Sequence, residues 1–293
     1  MTFNERRCEM GVPLFNFEEK QKMRQLLSID TNPKTIKGQK YGFMTGVLYL
    51  APADSASTPE LPINVCPMAE LAQCKGPCLN SAGRGAFNSV QKARIAKTQR
   101  FFTDRVGFMA DMVWSVEALI RKAARAGLIP IVRPNGTSDI RWELVPCVRN
   151  MGTKKVPNWV KFRNLMEAFP TVQWYDYTKI TNRKLVQLRD QRTGKIVSHG
   201  WPKNYDLTFS YSGVPEFQPI IAKAQKNPLL KRIAVVFHDR HNLPKTFSIN
   251  GKHQKCVGGD DSDLRHTDPK GVVVALYAKG RARKDNSGFV VNN

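Results

Sequence analysis

Cys66, Cys74 and Cys78 fall within one short loop at the spacing C-x7-C-x3-C. Thiolates are the ligands of structural zinc and of iron–sulfur clusters, and in either case the sulfurs must converge on one centre. Pro67, Gly76 and Pro77 let this loop fold back on itself. Structural zinc takes four ligands, so three thiolates alone fit a cluster with one iron left open better than they fit zinc. Three reduced, packed cysteines are the competing reading. Among the other cysteines, Cys8 and Cys147 read as structural, while Cys256 is the candidate for a fourth ligand, with His253 the second choice.

Two further constellations carry polar chemistry. Asn135-Gly136-Thr137-Ser138-Asp139 is a small polar loop ending in a carboxylate, able to hold an ammonium or hydroxyl group, with an Asx-capped turn as the alternative. His238-Asp239-Arg240-His241 and the acidic stretch Asp260, Asp261, Asp263 and Asp268 stand beside apolar runs. Clustered carboxylates hold Mg²⁺ through oxygen and support phosphodiester hydrolysis, so a Mg²⁺-dependent nuclease is one reading and acidic turns are the other.

These residues need elements to position them. The 293-residue chain is 41% hydrophobic and 9% aromatic, a globular composition, and no apolar run approaches a membrane span. Six short apolar runs read as strands: Tyr41–Leu50, Leu128–Arg133, Val172–Tyr177, Asp206–Tyr211, Arg232–His238 and Val272–Lys279. Helices are expected at Phe87–Thr103, at Asp104–Ala126 with an inward stripe of Val106, Met109, Val113, Val116 and Ile120 and a stop at Gly127, near Asn158–Ala168 and near Glu216–Gln225. Residues 1–40 read as a basic N-terminal extension with one short helix near Glu18–Leu27, and residues 41–293 as one domain carrying the cysteine loop at 66–78. Strands alternating with helices argue for a parallel sheet, whose strand ends are where chemistry gathers.

Lys and Arg number 46 against 24 Asp and Glu, a formal charge of +22. That balance predicts attraction to polyanions, nucleic acid first among them, through phosphates and with steep salt dependence. Two basic stretches are candidates for that contact: Lys92, Arg94, Lys97, Arg100 and Arg105, and the Thr181–Tyr205 excursion with Arg183, Lys184, Arg189, Arg192, Lys195, Trp201 and Lys203 and a hairpin at Thr193-Gly194. The N-terminus lacks the apolar core of a signal peptide, which predicts a reducing cytoplasm.

A strand, a three-cysteine loop, a long helix and a second strand ending in a Gly-containing polar loop together resemble the radical S-adenosylmethionine (radical SAM) barrel. The resemblance implies a partial (β/α)6 barrel whose three cysteines bind a [4Fe-4S] cluster, with the open iron taking the amino and carboxylate groups of S-adenosylmethionine. Cys66, Cys74 and Cys78 would be the ligands, and Asn135, Gly136, Ser138 and Asp139 would lie at the methionine end of the cofactor. The spacing here is wider than that superfamily's usual C-x3-C-x2-C. More specifically, Cys66-Pro67, Gly136–Asp139, Trp174–Thr178 and Gly259–Asp263 resemble the phage proteins grouped as gene product 88-like, which implies a viral source and the host cytoplasm. The chain is therefore expected to be an α/β iron–sulfur protein with a radical SAM-like barrel, acting as a radical enzyme or a redox protein. The alternatives are a basic nucleic-acid-binding phage protein with a structural metal, and the nuclease.

Overall fold

The strands that build the sheet are short, β-branched and aromatic, and most pack on both faces, the pattern of a parallel sheet rather than of a half-solvated one. A computed structural model describes residues 24–29, 33–183, 186–189 and 196–292. The strands are β1 (Leu27–Ile29), β2 (Phe43–Leu48), β3 (Ile129–Arg133), β4 (Cys147–Asn150), β5 (Trp159–Phe162), β6 (Gln173–Thr178), β7 (Val186–Arg189), β8 (Ile196–Gly200), β9 (Tyr205–Ser210), β10 (Leu230–Phe237), β11 (Thr246–Ile249), β12 (Lys252–Gly258) and β13 (Val273–Tyr277). The helices are α1 (Pro33–Lys37), α2 (Asn88–Thr103), α3 (Arg105–Arg125), α4 (Leu165–Ala168) and α5 (Gln218–Lys226).

Nine strands form one sheet in the order β1-β2-β3-β6-β9-β10-β13-β12-β11. From β2 to β13 every neighbouring pair is parallel, so six parallel strands lie side by side in the order in which the chain makes them. They are the six strands expected from the sequence. β12 adds parallel to β13, while β1 and β11 are antiparallel edges. The result is a mixed α/β single domain built on a large, mostly parallel sheet. Among the described residues no helix is long and apolar enough to cross a membrane.

Because side chains alternate along a strand, neighbouring residues serve opposite faces. Val132, Trp174, Leu207, Phe209, Val235 and Phe237 share the main core with Phe108, Met112, Val116 and Leu119 of α3. Their neighbours Ile131 and Tyr175 form a separate cluster with Leu264 on the other face. That face is strongly polar: Arg133 pairs with Asp263 at 2.9 Å, and Asp263 also accepts from the Tyr175 hydroxyl at 2.9 Å. The segment between β12 and β13 thus lies across the sheet, and its Asp263 carboxylate is neutralised there.

α2 and α3 fall where expected. Asp104 caps α3 by accepting from Gly107 N at 2.9 Å, and Gly127 follows it at φ 66°. The inward stripe differs in one place: Val106 is 38% exposed, and Phe108, Met112 and Leu119 fill the core beside Met109, Val113 and Val116. The helix expected near Asn158–Ala168 is instead β5, paired antiparallel to β4, followed by the single turn α4. Trp159, Val160 and Phe162 favour an extended chain, and Asn164 starts the helical turn only afterwards by accepting from Glu167 N.

In the segment read as an N-terminal extension, β1 pairs with β2; the helix expected near Glu18–Leu27 lies outside the described residues up to Met23, and Leu27 is in β1. The turn expected at Thr193-Gly194 also lies outside the described residues, between the antiparallel arms β7 and β8.

Candidate metal centre

β2 releases the chain at Tyr49, and the loop that follows is tied down by its own backbone. Ala51 N donates to Thr98 Oγ1 on α2 at 2.8 Å, Val65 N returns to Ala53 O at 2.9 Å, and Cys74 N donates to Ala69 O at 3.0 Å. Ala51, Ala56, Ile63 and Val65 make a small core of their own, against which Cys66 and Ile95 pack. Folded in this way, the loop presents all three cysteines as partly buried, reduced thiols.

Burial pushes each of these thiols up from its ordinary value. The Asp139 carboxylate and then Cys78 and Cys74 raise Cys66 further, and Cys74 raises Cys78. The three therefore sense one another's charge. At neutral pH they carry their protons, so none is a ready nucleophile; they become thiolates where a cation takes the place of the proton.

Two buried cations face them. Lys179, just past the end of β6, is 8% exposed, and its ammonium donates to Ser210 O at 3.0 Å, Ser210 Oγ at 3.1 Å and Tyr211 O at 3.1 Å. It lies 4.8 Å from the Phe289 ring and 5.3 Å from that of Phe217. Burial draws its proton affinity down, while Cys74, Asp139, Cys66 and Cys78 draw it back up. Arg94 on α2 is also 8% exposed; it donates to Asn80 Oδ1, stacks 4.8 Å from the Tyr49 ring and feels the charge of Cys78.

The polar loop after β3 meets the cysteine loop directly, through a long contact of 3.8 Å from Cys66 Sγ to Thr137 O. Gly136 passes so close to the end of β2 that an added Cβ would lie 2.6 Å from Tyr49 Cδ1 and 2.7 Å from Leu48 O, so only glycine fits there. Asn135 holds the loop together. Its Oδ1 accepts from Ser138 Oγ, Ile140 N and Trp142 Nε1, and its Nδ2 donates to Ile140 O and Asp176 Oδ2. Asp139 accepts from Thr178 Oγ1 at 2.7 Å, from Lys179 N at 2.8 Å and from Arg183 Nη2 at 3.1 Å. These side chains are committed to shaping the rim of the site and to joining β3 to β6.

Asp176 lies beneath this network, and burial raises its carboxyl to about 7 against the hydrogen bonds from Tyr205 and Asn135. Above pH 4 the unfolded chain loses this proton while the folded one keeps it. Stability contributed by Asp176 therefore falls as pH rises from about 4 to about 7, with a slope approaching about 1.4 kcal/mol per unit. Asp176→Asn should lose that slope, so that urea-unfolding free energies of variant and wild type diverge with pH across this window in the variant's favour; a constant difference would contradict it.

The family model described as Gene product 88 matches residues 22–293. The chain belongs to the Gene product 88 family. No curated protein and no solved structure matches it. The match takes in β1 through β13 with every residue of the site, and the family fits a bacteriophage source.

Elsewhere in this Gene product 88 protein the candidate groups do not converge. Asp260 pairs with Lys279 at 2.7 Å, Asp263 with Arg133, and Asp268 with Arg265 at 3.1 Å, each on a different cation. Cys256 stands opposite Val273 at the start of β13, and His253 pairs with Ser248, at the opposite end of the sheet from the cysteine loop. Cys147 is buried in the main core, and Cys8 lies outside the described residues. Among the described residues, the cysteine loop included, no group of three or more His, Cys, Asp or Glu side chains is set to hold a single metal ion.

α2 is not a free basic face. Arg94 is turned inward, Arg100 pairs with Asp104 and Asp111, and burial beside Arg94 pulls Lys97 down to about 8; Lys92 and Arg105 are the exposed members. Arg183 is buried against Glu143 and Asp139, and the side chains of residues 184–199 lie outside the described ones. Arg94 and Arg183, expected in basic stretches that contact phosphate, are instead buried beside the site, and Lys179 was not singled out from sequence.

Proposed function

We propose that this chain is an iron–sulfur protein built on a radical SAM-like partial (β/α)6 barrel, with Cys66, Cys74 and Cys78 ligating one [4Fe-4S] cluster. The observation that carries the reading is that the loop bearing three free, partly buried cysteines meets the polar loop after β3, through Cys66 Sγ and Thr137 O, beside the buried cations Lys179 and Arg94. Deprotonated thiolates carrying a cluster are anionic, and buried ammonium and guanidinium groups stabilise such charge in a low-dielectric site. The donor set fits a cluster better than a lone ion. A cluster gives each thiolate its own iron, so its ligands stand further apart than four donors around one zinc. Six parallel strands in chain order, with the cysteine loop after the first, support the partial-barrel reading.

When bound, the cluster would supply one-electron chemistry, with its open iron available to the amino and carboxylate groups of S-adenosylmethionine. This chain's own residues have narrower tasks. Lys179 and Arg94 offset the charge of the thiolates, Asn135 and Ser138 fix the loop whose Thr137 carbonyl faces Cys66, and Gly136 lets that loop approach. Asp139 couples the loop to Lys179 through the backbone. Asp260, Asp263 and Asp268 each pair with a separate cation, which weighs against the nuclease reading.

Electron paramagnetic resonance of the anaerobically reconstituted, dithionite-reduced protein tests the proposal. A cluster signal that shifts on adding S-adenosylmethionine is expected for an open iron. A signal that does not shift limits the protein to electron transfer, and no cluster signal at all would refute the reading.

A further inference from the structure

At the opposite end of the parallel strands from the cysteines lies a cleft of about 550 Å³, within the range of small-molecule sites. The end of α5, the starts of β10 and β13 and the turn joining β11 to β12 enclose it. Four cations line it: Lys226, Lys231, Arg232 and Lys252. Asp206 holds two of these, Arg232 at 2.6 Å and Lys231 at 3.2 Å. Arg232 also donates to the Asp268 and Pro269 carbonyls, which fixes it as part of the wall. Lys226 at the end of α5 and Lys252 at the start of β12 line the cleft from separate elements, and among the described residues neither pairs with a carboxylate. Gln254, on the cleft wall, has its Oε1 buried without a donor. A buried acceptor left unmatched is costly, so the site favours a ligand that supplies an O–H or N–H there.

We propose that this cleft binds a nucleotide unit, with phosphate between Lys226 and Lys252 and a sugar hydroxyl or base N–H donated to Gln254 Oε1. The volume exceeds what a phosphate ion fills, and the unpaired ammonium groups select an anion. The unit could be a free nucleotide or one residue of a nucleic acid, since both present the same phosphate and donor.

Fluorescence anisotropy and calorimetry on the full chain at low salt test this, with a short fluorescein-labelled single-stranded oligodeoxynucleotide, AMP and inorganic phosphate as probes. Binding of AMP assigns the cleft to free nucleotides, and binding of the oligonucleotide alone assigns it to a nucleic-acid strand. In either case Lys226→Glu/Lys252→Glu should weaken binding about tenfold or more and flatten its salt dependence. Gln254→Ala should weaken nucleotide binding while leaving phosphate affinity unchanged. Thermal melts show that the variants are folded, and a Cys66→Ser/Cys74→Ser/Cys78→Ser variant should bind as wild type does, which separates this site from the cysteine centre. Failure of the wild type to bind either nucleotide probe, or full affinity in the folded double-lysine variant, would overturn the assignment.

Discussion

Asn135→Ala should lower the unfolding free energy by roughly 3–5 kcal/mol, one of the largest losses any single polar residue of this chain can cause. Its carboxamide makes five hydrogen bonds in a buried setting, three accepted by Oδ1 and two donated by Nδ2. Truncation removes both sides of the network at once. Ile140 N and Trp142 Nε1 lose their acceptor, Ile140 O loses a donor, and the raised carboxyl of Asp176 keeps only the Asn135 backbone N–H and the Tyr205 hydroxyl. Each stranded buried group costs about 1–3 kcal/mol, and partial relaxation of the loop reduces the total. Ser138→Ala, which removes one donor from the same oxygen, should cost about 1 kcal/mol. Urea unfolding of both variants checks the pair; a loss below about 1 kcal/mol for Asn135→Ala would mean that the loop is not held in this way.

Lys179→Met should destabilise the protein by roughly 2–4 kcal/mol and, separately, reduce the iron it retains after reconstitution. Methionine keeps the apolar stem between Phe217 and Phe289, so packing is nearly conserved while the ammonium is removed. Ser210 O, Ser210 Oγ and Tyr211 O then lose a shared donor where two strand ends meet. The stability loss follows from that alone. Loss of iron needs the further step that Lys179 stabilises negative charge on Cys66, Cys74 and Cys78 together. Iron content at wild-type level in a destabilised but folded Lys179→Met would reduce the lysine to a structural role.

The parallel sheet was legible because its six strands are short apolar runs flanked by helical stretches, a pattern that depends on local sequence. So was the closeness of Cys66 to the loop after β3, once strand ends were taken as the place where loops meet. The β4–β5 hairpin was hidden because Asn158–Ala168 mixes aromatic and helix-favouring residues, and long-range pairing decided between them. The β11–β12 hairpin did carry a signal: Asn250-Gly251, at φ 52° and 74°, is the dipeptide of a tight two-residue turn. Lys179 carried none. In a chain with 46 Lys and Arg, a buried lysine looks like any other until Ser210 and Tyr211, distant in sequence, are brought beneath it. The same holds for Asp263, whose partner Arg133 is 130 residues away.

Iron and acid-labile sulfide per chain, measured after anaerobic reconstitution on wild type and on Cys66→Ser/Cys74→Ser/Cys78→Ser, test the central claim most directly. Wild type should hold about four of each and be brown, and the triple variant, folded by its thermal melt, should hold almost none. A colourless wild type carrying zinc, or a triple variant that keeps its iron and sulfide, would contradict the account.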